Sequence, residues 1–298
     1  FFSVVKYNFL INSDIKIRDF TFNFNKKTYS AFIVFIDGMA DSEIISKFIL
    51  HPLMDLNSTR TPKKIISSFK KNNAIVRKIK SVNLENSLYN TLLPQNDISK
   101  KYNFKDIASD INKGNCALFI DTLNVCFVFD VKNLKQRSIS QPSTELVVNG
   151  SQESFVEVLR TNTSLLRRLV NNENLIIENV NVGMITQTDC AICYIKGIAN
   201  DELVAEVKYR INSLKIDSLI SSGQLQHLIE DNPSSSLPQT LSTERPDSAT
   251  SYLLEGRVIV IVNGTPFVLA MPATFIDFLT SAEDSNLKFQ FANLLKVV

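Results

Sequence analysis

Tryptophan is absent from this chain and histidine occurs only twice, at His51 and His227. Two imidazoles leave little from which to build a Ser/His/Asp triad or a His-rich metal site. The eight glycines are scattered singly, so no loop has the clustered glycines that cradle phosphate. The four cysteines, Cys116, Cys126, Cys190 and Cys193, all fall in apolar, strand-like stretches. Cys190 and Cys193 formally make a CxxC, but an odd separation along a strand directs the two thiols to opposite faces, away from a shared metal or disulfide. Buried free thiols are expected, which suits a reducing compartment. No apolar run approaches the ~18–20 residues that span a bilayer, so this piece is expected to be soluble.

Charge of one sign is also scarce. The net charge of +2 is too small to point to a nucleic-acid binder, and none is expected as a partner. The exception is local. Residues 57–84 hold Arg60, Lys63, Lys64, Lys70, Lys71, Arg77, Lys78 and Lys80 with no acid among them. Lys63, Lys64, Lys70, Lys71, Arg77 and Lys78 are candidate contacts to an anionic membrane surface; the alternative is a solvated helix face.

What the chain has in place of a catalytic signature is a repeat. Ile33–Val34–Phe35–Ile36–Asp37–Gly38–Met39–Ala40–Asp41 returns 159 residues later as Ile192–Cys193–Tyr194–Ile195–Lys196–Gly197–Ile198–Ala199–Asn200. A second pair follows in the same order, offset by 142: Asp110 to Ile120, with Gly114, against Tyr252 to Val262, with Gly256. Two ordered matches imply one supersecondary design used twice, with the first copy about 17 residues longer between its two glycine markers. Each copy reads as a strand apolar on both faces, a turn and a helix, then a helix ended by glycine and a hairpin. The fold class is therefore α/β: two similar subdomains, each a helix-flanked mixed sheet with a hairpin. The division expected is 1–136, a connecting segment 137–152, and 153–298.

Two local expectations are specific. Gln152 to Val170 reads as one amphipathic helix with Asn162 inside its apolar stripe, where the amide needs a partner: a nearby backbone carbonyl, or another domain or subunit. Val258 to Val262 is expected to meet Phe267 to Met271 across a type I′ turn at Asn263–Gly264, while Asp121 to Asn124 makes a longer, less regular connection in the first copy.

From Arg137 onward the motifs are denser: Arg137–Ser138–Ile139, Pro142, Glu145 to Gly150, Arg160–Thr161–Asn162, Leu166–Arg167–Arg168, Tyr194 to Asn200, Leu228 to Pro233, Thr243 to Asp247, Leu254 to Val258 and Asn263 to Phe267. In this order they closely resemble the large soluble N-terminal domain of the A subunit of GerA-type spore germinant receptors. Asn149 stands where that family commonly has Arg. The resemblance implies a non-enzymatic receptor component without cofactor, acting with B and C subunits and other A subunits in the bacterial spore inner membrane. This domain would lie on the cytosolic, spore-core side, with membrane helices beyond Val298. It would take part in sensing a small nutrient germinant, with a ligand held between its two subdomains as one route, and in triggering ion release. A related spore membrane paralogue and a free-standing two-lobed binding protein or enzyme stay open. Arg137, Glu145, Asn162, Arg168, Glu244 and Arg245 are the candidate interdomain, subunit or ligand contacts. Arg245 is expected to clasp the carboxylate of Glu145.

Overall fold

A computed structural model describes residues 9, 11–25, 27–56, 84–94, 97–132, 145, 151–232 and 237–279. The chain separates into two compact units, the first formed by Phe1–Lys6 and Lys16–Asn133, the second by Tyr7–Ile15 and Leu134–Val298.

The first unit holds β1 (Ile15–Phe24), β2 (Lys27–Ile36), β3 (Ile98–Lys101), β4 (Cys116–Ile120) and β5 (Cys126–Phe129) in the order β1-β2-β4-β5-β3. Its helices are α1 (Ser42–Ile44), which runs through a π turn into α2 (His51–Asp55), then α3 (Leu84–Ser87) and α4 (Phe104–Asn112). The second holds β6 (Leu175–Val182), β7 (Thr188–Ile195), β8 (Leu241–Thr243), β9 (Val258–Val262) and β10 (Val268–Met271) in the order β6-β7-β9-β10-β8. Here the helices are α5 (Leu159–Leu169), α6 (Asp201–Ser213), α7 (Ser222–Ile229) and α8 (Pro246–Leu254), with a 3-10 turn at Phe275–Leu279. Both sheets are antiparallel rather than mixed.

The repeat holds to the residue. Ile33 pairs with Leu118 and Ile192 with Val260; Leu118 pairs with Phe127 and Val260 with Leu269; Lys100 pairs with Phe127 and Ser242 with Leu269. The 159-residue offset thus applies at the second strand of each sheet and the 142-residue offset at the next three, so the extra length of the first copy falls between β2 and β3. Asp41 and Asn200, also 159 apart, both cap the following helix: Asp41 Oδ1 accepts from Glu43 N at 2.8 Å and Asn200 Oδ1 from Glu202 N at 2.8 Å. Gly114 and Gly256 end equivalent helices at φ +92° and +86° and sit against the turn after the second strand. A Cβ on Gly256 would lie 2.9 Å from Ile198 O, and one on Gly114 3.3 Å from Met39 Cβ. Positive φ and crowding at the same point leave only glycine.

Side-chain alternation on β7 separates the two CxxC thiols. Cys193 packs in the apolar cluster beneath α5 and α8, with Leu166 and Leu253, whereas Cys190 packs on the other face with Val204 and Leu225. All four cysteines are free and buried. Burial pushes all four thiols up from the ordinary range, Cys190 to about 12.

Two local expectations fail. The helix begins at Leu159, not near Gln152. Asn162 Oδ1 accepts from Val156 N at 2.8 Å and its Nδ2 donates to Val156 O at 2.5 Å, so a side chain takes the backbone groups a helix would have used and holds the strand-like lead-in. The β9–β10 connection is not a two-residue turn: Ile261 pairs with Val268 just as Phe119 pairs with Cys126, so both copies use the same five-residue connection. Asn263 lacks the positive φ that a type I′ turn requires. It is held instead by Asn263 N donating to Asp189 O at 2.9 Å and Asn263 Oδ1 accepting from Leu159 N at 3.0 Å.

Candidate functional site

The duplication supplies an internal control, because positions where the second unit departs chemically from the first stand out. At the entry to α4 the first unit has Tyr102, 67% exposed, and Asn103, whose Oδ1 caps the helix by accepting from Lys105 N at 3.2 Å. The positions 142 residues later are Glu244 and Arg245, 3% and 1% exposed. The second unit dispenses with the side-chain cap. Pro246 opens α8 with its φ already set and no N–H to satisfy, which frees residue 245 for another use.

That use is a buried polar cluster. Arg245 donates through Nη1 to Glu145 O at 3.2 Å and through Nη2 to Asp247 Oδ2 at 2.5 Å, while its N donates to Thr243 Oγ1 at 3.1 Å. Thr243 Oγ1 donates to Glu145 Oε2 at 2.7 Å, and Glu145 N donates to Glu244 Oε1 at 3.1 Å. Glu244 O accepts from Phe155 N at 2.7 Å and from Ser154 Oγ at 3.1 Å. Burial pushes the Glu145 carboxyl up, against the lowering effect of the Thr243 hydroxyl. The clasp therefore differs from the expected one. The carboxylate that pairs with Arg245 belongs to Asp247, two residues along on the first turn of α8, and Glu145 offers Arg245 its carbonyl. A partner two residues away costs little ordering entropy, whereas Glu145 is already held by Thr243 and Glu244. Arg245 Nε has no partner among the described residues.

Glu145, Glu244 and Arg245 thus come together. Asn162, fully buried in the first turn of α5, bonds Val156 of the lead-in segment at both ends of its amide. Arg168 pairs with Glu153 at the edge of this segment. Together with Gly264 N, which donates to Glu157 O at 2.8 Å, these motif residues pin residues 153–159 to the second unit. Arg137 and the basic side chains Lys63, Lys64, Lys70, Lys71, Arg77 and Lys78 lie outside the described residues.

The sequence reading missed the most buried ion pair among the described residues. Arg167, 1% exposed, donates through Nε to Asp14 Oδ2 at 2.7 Å and through Nη2 to Asp14 Oδ1 at 2.8 Å. Nη2 also reaches Asn12 Oδ1 at 2.9 Å, and Nη1 reaches Leu175 O at 2.9 Å. Asn12 Oδ1 accepts in addition from Ile177 N at 2.9 Å, and Ser13 N donates to Ile177 O at 2.9 Å. A segment from the start of the chain thereby closes the open edge of β6. A signal was available: Arg167 follows the buried Leu159 and Thr163 at spacings of four along α5, which faces it inward.

Chemically the cluster holds rather than reacts. The Arg245 guanidinium is paired with Asp247, Glu145 Oε2 accepts from the Thr243 hydroxyl, and Glu244 Oε1 accepts from Glu145 N. Among the described residues no group of histidine, cysteine or carboxylate side chains could hold a metal ion, and no helix is long and apolar enough to cross a membrane.

The chain is similar to the spore germination protein KA of Bacillus subtilis, with 32% identity over 96% of this chain and 49% of the relative. It is also similar to spore germination protein B1 of the same organism, with 34% identity over 94% of this chain and 53% of the relative. It spans about half the length of these curated relatives. The crystal structure of the N-terminal domain of the A subunit of the Bacillus megaterium spore germinant receptor GerK3 matches with a TM-score of 0.61 and 28% identity, covering 92% of this chain and 94% of that one. The profile of the Bacillus/Clostridium GerA spore germination protein family matches residues 3–298, and the chain belongs to that family.

Proposed function

We propose that this chain is the N-terminal part of a germinant receptor A subunit that takes part in nutrient sensing and passes the signal to a membrane portion, where ions are released. It works there with B and C subunits and further A subunits at the spore inner membrane, facing the spore core, and not as an enzyme. The observation that carries the reading is the likeness, over nearly the whole chain, to the N-terminal domain of the GerK3 A subunit. The buried cluster around Arg245 supports it: a preorganised charged lattice with no reactive group suits holding a geometry that other parts of a complex recognise. In this reading Arg137, Glu145, Asn162, Arg168, Glu244 and Arg245 support or form the subunit-facing surface, and the basic residues between 63 and 78 approach anionic lipid.

Deleting the region from the full-length protein in spores, with the remainder kept, tests this. Nutrient-triggered cation release should be lost while the protein is still made. Normal release, or recovery of the protein only in the soluble spore fraction with no membrane-bound partner, refutes it.

A further inference from the structure

The second unit contains a cavity of about 480 Å³ between α6, the end of α7, the residues before β8 and the residues after β10. That volume falls within the ~300–1,000 Å³ of small-molecule sites. Its walls are mainly apolar, with Leu203, Val207, Ile229, Met271, Phe275 and Phe278 among them. An apolar cavity alone would accept many things; the charged groups narrow the choice.

Among the described residues four ionisable side chains line it: Glu206, Arg210, Glu230 and Asp231. Arg210 is used up. Its Nε donates to Glu206 Oε1 at 2.7 Å, Nη2 pairs with Asp231 Oδ1 at 2.7 Å, and Nη1 donates to Ile229 O at 2.7 Å. Among the described residues no cation pairs with Glu230. Its Oε1 accepts only neutral donors, from Gln239 N at 3.0 Å, Gln226 Nε2 at 3.3 Å and Thr240 Oγ1 at 3.4 Å, and its Oε2 has no partner among the described residues. Three carboxylates against one guanidinium leave the described lining with two negative charges in excess. A carboxylate fixed by three neutral donors, with its second oxygen open, is a preorganised acceptor for an ammonium group. The rings of Phe275 and Phe278 add surfaces that attract cations as well as hydrocarbon.

We infer that this cavity binds a small organic cation with an apolar body, its ammonium on Glu230 Oε2 and its hydrocarbon against α6 and the Phe275–Leu279 turn. This binding is independent of the germination role, so a failure in spores leaves it standing and the reverse also holds.

Calorimetric titration of the 298-residue chain at low salt with hexylamine, hexan-1-ol and hexanoate, which share a six-carbon body, tests the inference without any variant. Hexylammonium should bind at least about tenfold more tightly than hexanol, as expected for one charge-assisted hydrogen bond, and hexanoate should be weakest. Glu230→Gln should abolish the preference for the amine and leave hexanol unchanged. Phe278→Ala, at a residue 39% exposed, should weaken amine and alcohol alike. Equal affinity for the three ligands, no binding of any, or a Glu230→Gln chain that still prefers the amine overturns the assignment.

Discussion

Replacing Asp14 by alanine isolates the buried Arg167–Asp14 ion pair of the second unit. The substitution removes both oxygens that hold Arg167 and leaves a guanidinium 1% exposed, with only Asn12 Oδ1 and Leu175 O as acceptors. Breaking a buried pair from one side costs about 3–5 kcal/mol, because the surviving charge is neither solvated nor paired. For a unit of this size that corresponds to a fall of roughly 8–16 °C in melting temperature. The double variant Asp14→Leu/Arg167→Met removes both charges and should recover most of the loss, since the pair itself contributes little beyond its own desolvation. The readout can be made specific to the unit. Cys190 and Cys193 belong to the second and Cys116 and Cys126 to the first, all four buried, so thiol labelling along a denaturant series shows which unit opens. In the Asp14→Ala chain Cys190 and Cys193 should label at lower denaturant, with Cys116 and Cys126 unchanged. A loss below about 1 kcal/mol, or a double variant no better than the single, refutes the account of Arg167 as a charge dependent on its partner.

Gly256→Ala forces a side chain to φ +86° with its Cβ 2.9 Å from Ile198 O, whereas Gly197→Ala meets φ +84° with open space around it. The second should cost roughly 1–2 kcal/mol and the first measurably more, as read by chemical denaturation. The Arg257 guanidinium beside Asp277, helped by Thr274 and opposed by burial, holds the Asp277 carboxyl at about 2. A depressed folded-state value means the pair's contribution is present above the unfolded value of ~3.9 and is lost as pH falls through 2, so Asp277→Asn should cost about 2 kcal/mol at pH 7 and progressively less as pH falls from about 4 to below 2. If residues 63–78 approach lipid, at ~1 kcal/mol per basic residue near the surface, the chain should sediment with anionic vesicles at low salt and be released by high salt. Equal sedimentation with neutral vesicles refutes that role.

The repeat was legible because it is written in local chemistry. Strand hydrophobicity, the caps Asp41 and Asn200, and the helix-ending Gly114 and Gly256 each act within a few residues, and their offsets reproduce the strand registers. The errors share the opposite property. Gln152 to Val158 has helical amphipathicity, yet Asn162, which reaches back to Val156, and Glu244, ninety residues on, take its backbone groups. Asn263–Gly264 reads as a tight turn until Leu159 and Asp189 claim the asparagine. Arg167 and Asp14 are 153 residues apart. A polar side chain's partner across such a distance is set by tertiary packing, and periodicity carries no record of it.

The two copies also show how a scaffold can take on a role without changing its topology. Five strands and the helix ends coincide, so packing alone cannot require Glu244 and Arg245: the first unit builds the same corner with Tyr102 exposed and Asn103 as an ordinary cap. Burying a guanidinium where an asparagine suffices costs desolvation, and such a cost is tolerated where it fixes a geometry rather than adds stability. In the second unit the geometry fixed is that of Glu145 and of residues 153–159, which the cluster and Asn162 hold as an extended lead-in to α5. Arg245→Ala should therefore destabilise the second unit, contrary to what a surface clasp would do. The informative variant is Arg245→Asn with Asp247→Ser, which restores a capping side chain and removes the charge pair. If that chain folds to near wild-type stability yet no longer supports germination in spores, the cluster positions a surface that the receptor needs. If it folds and germinates normally, the buried charges serve the fold alone.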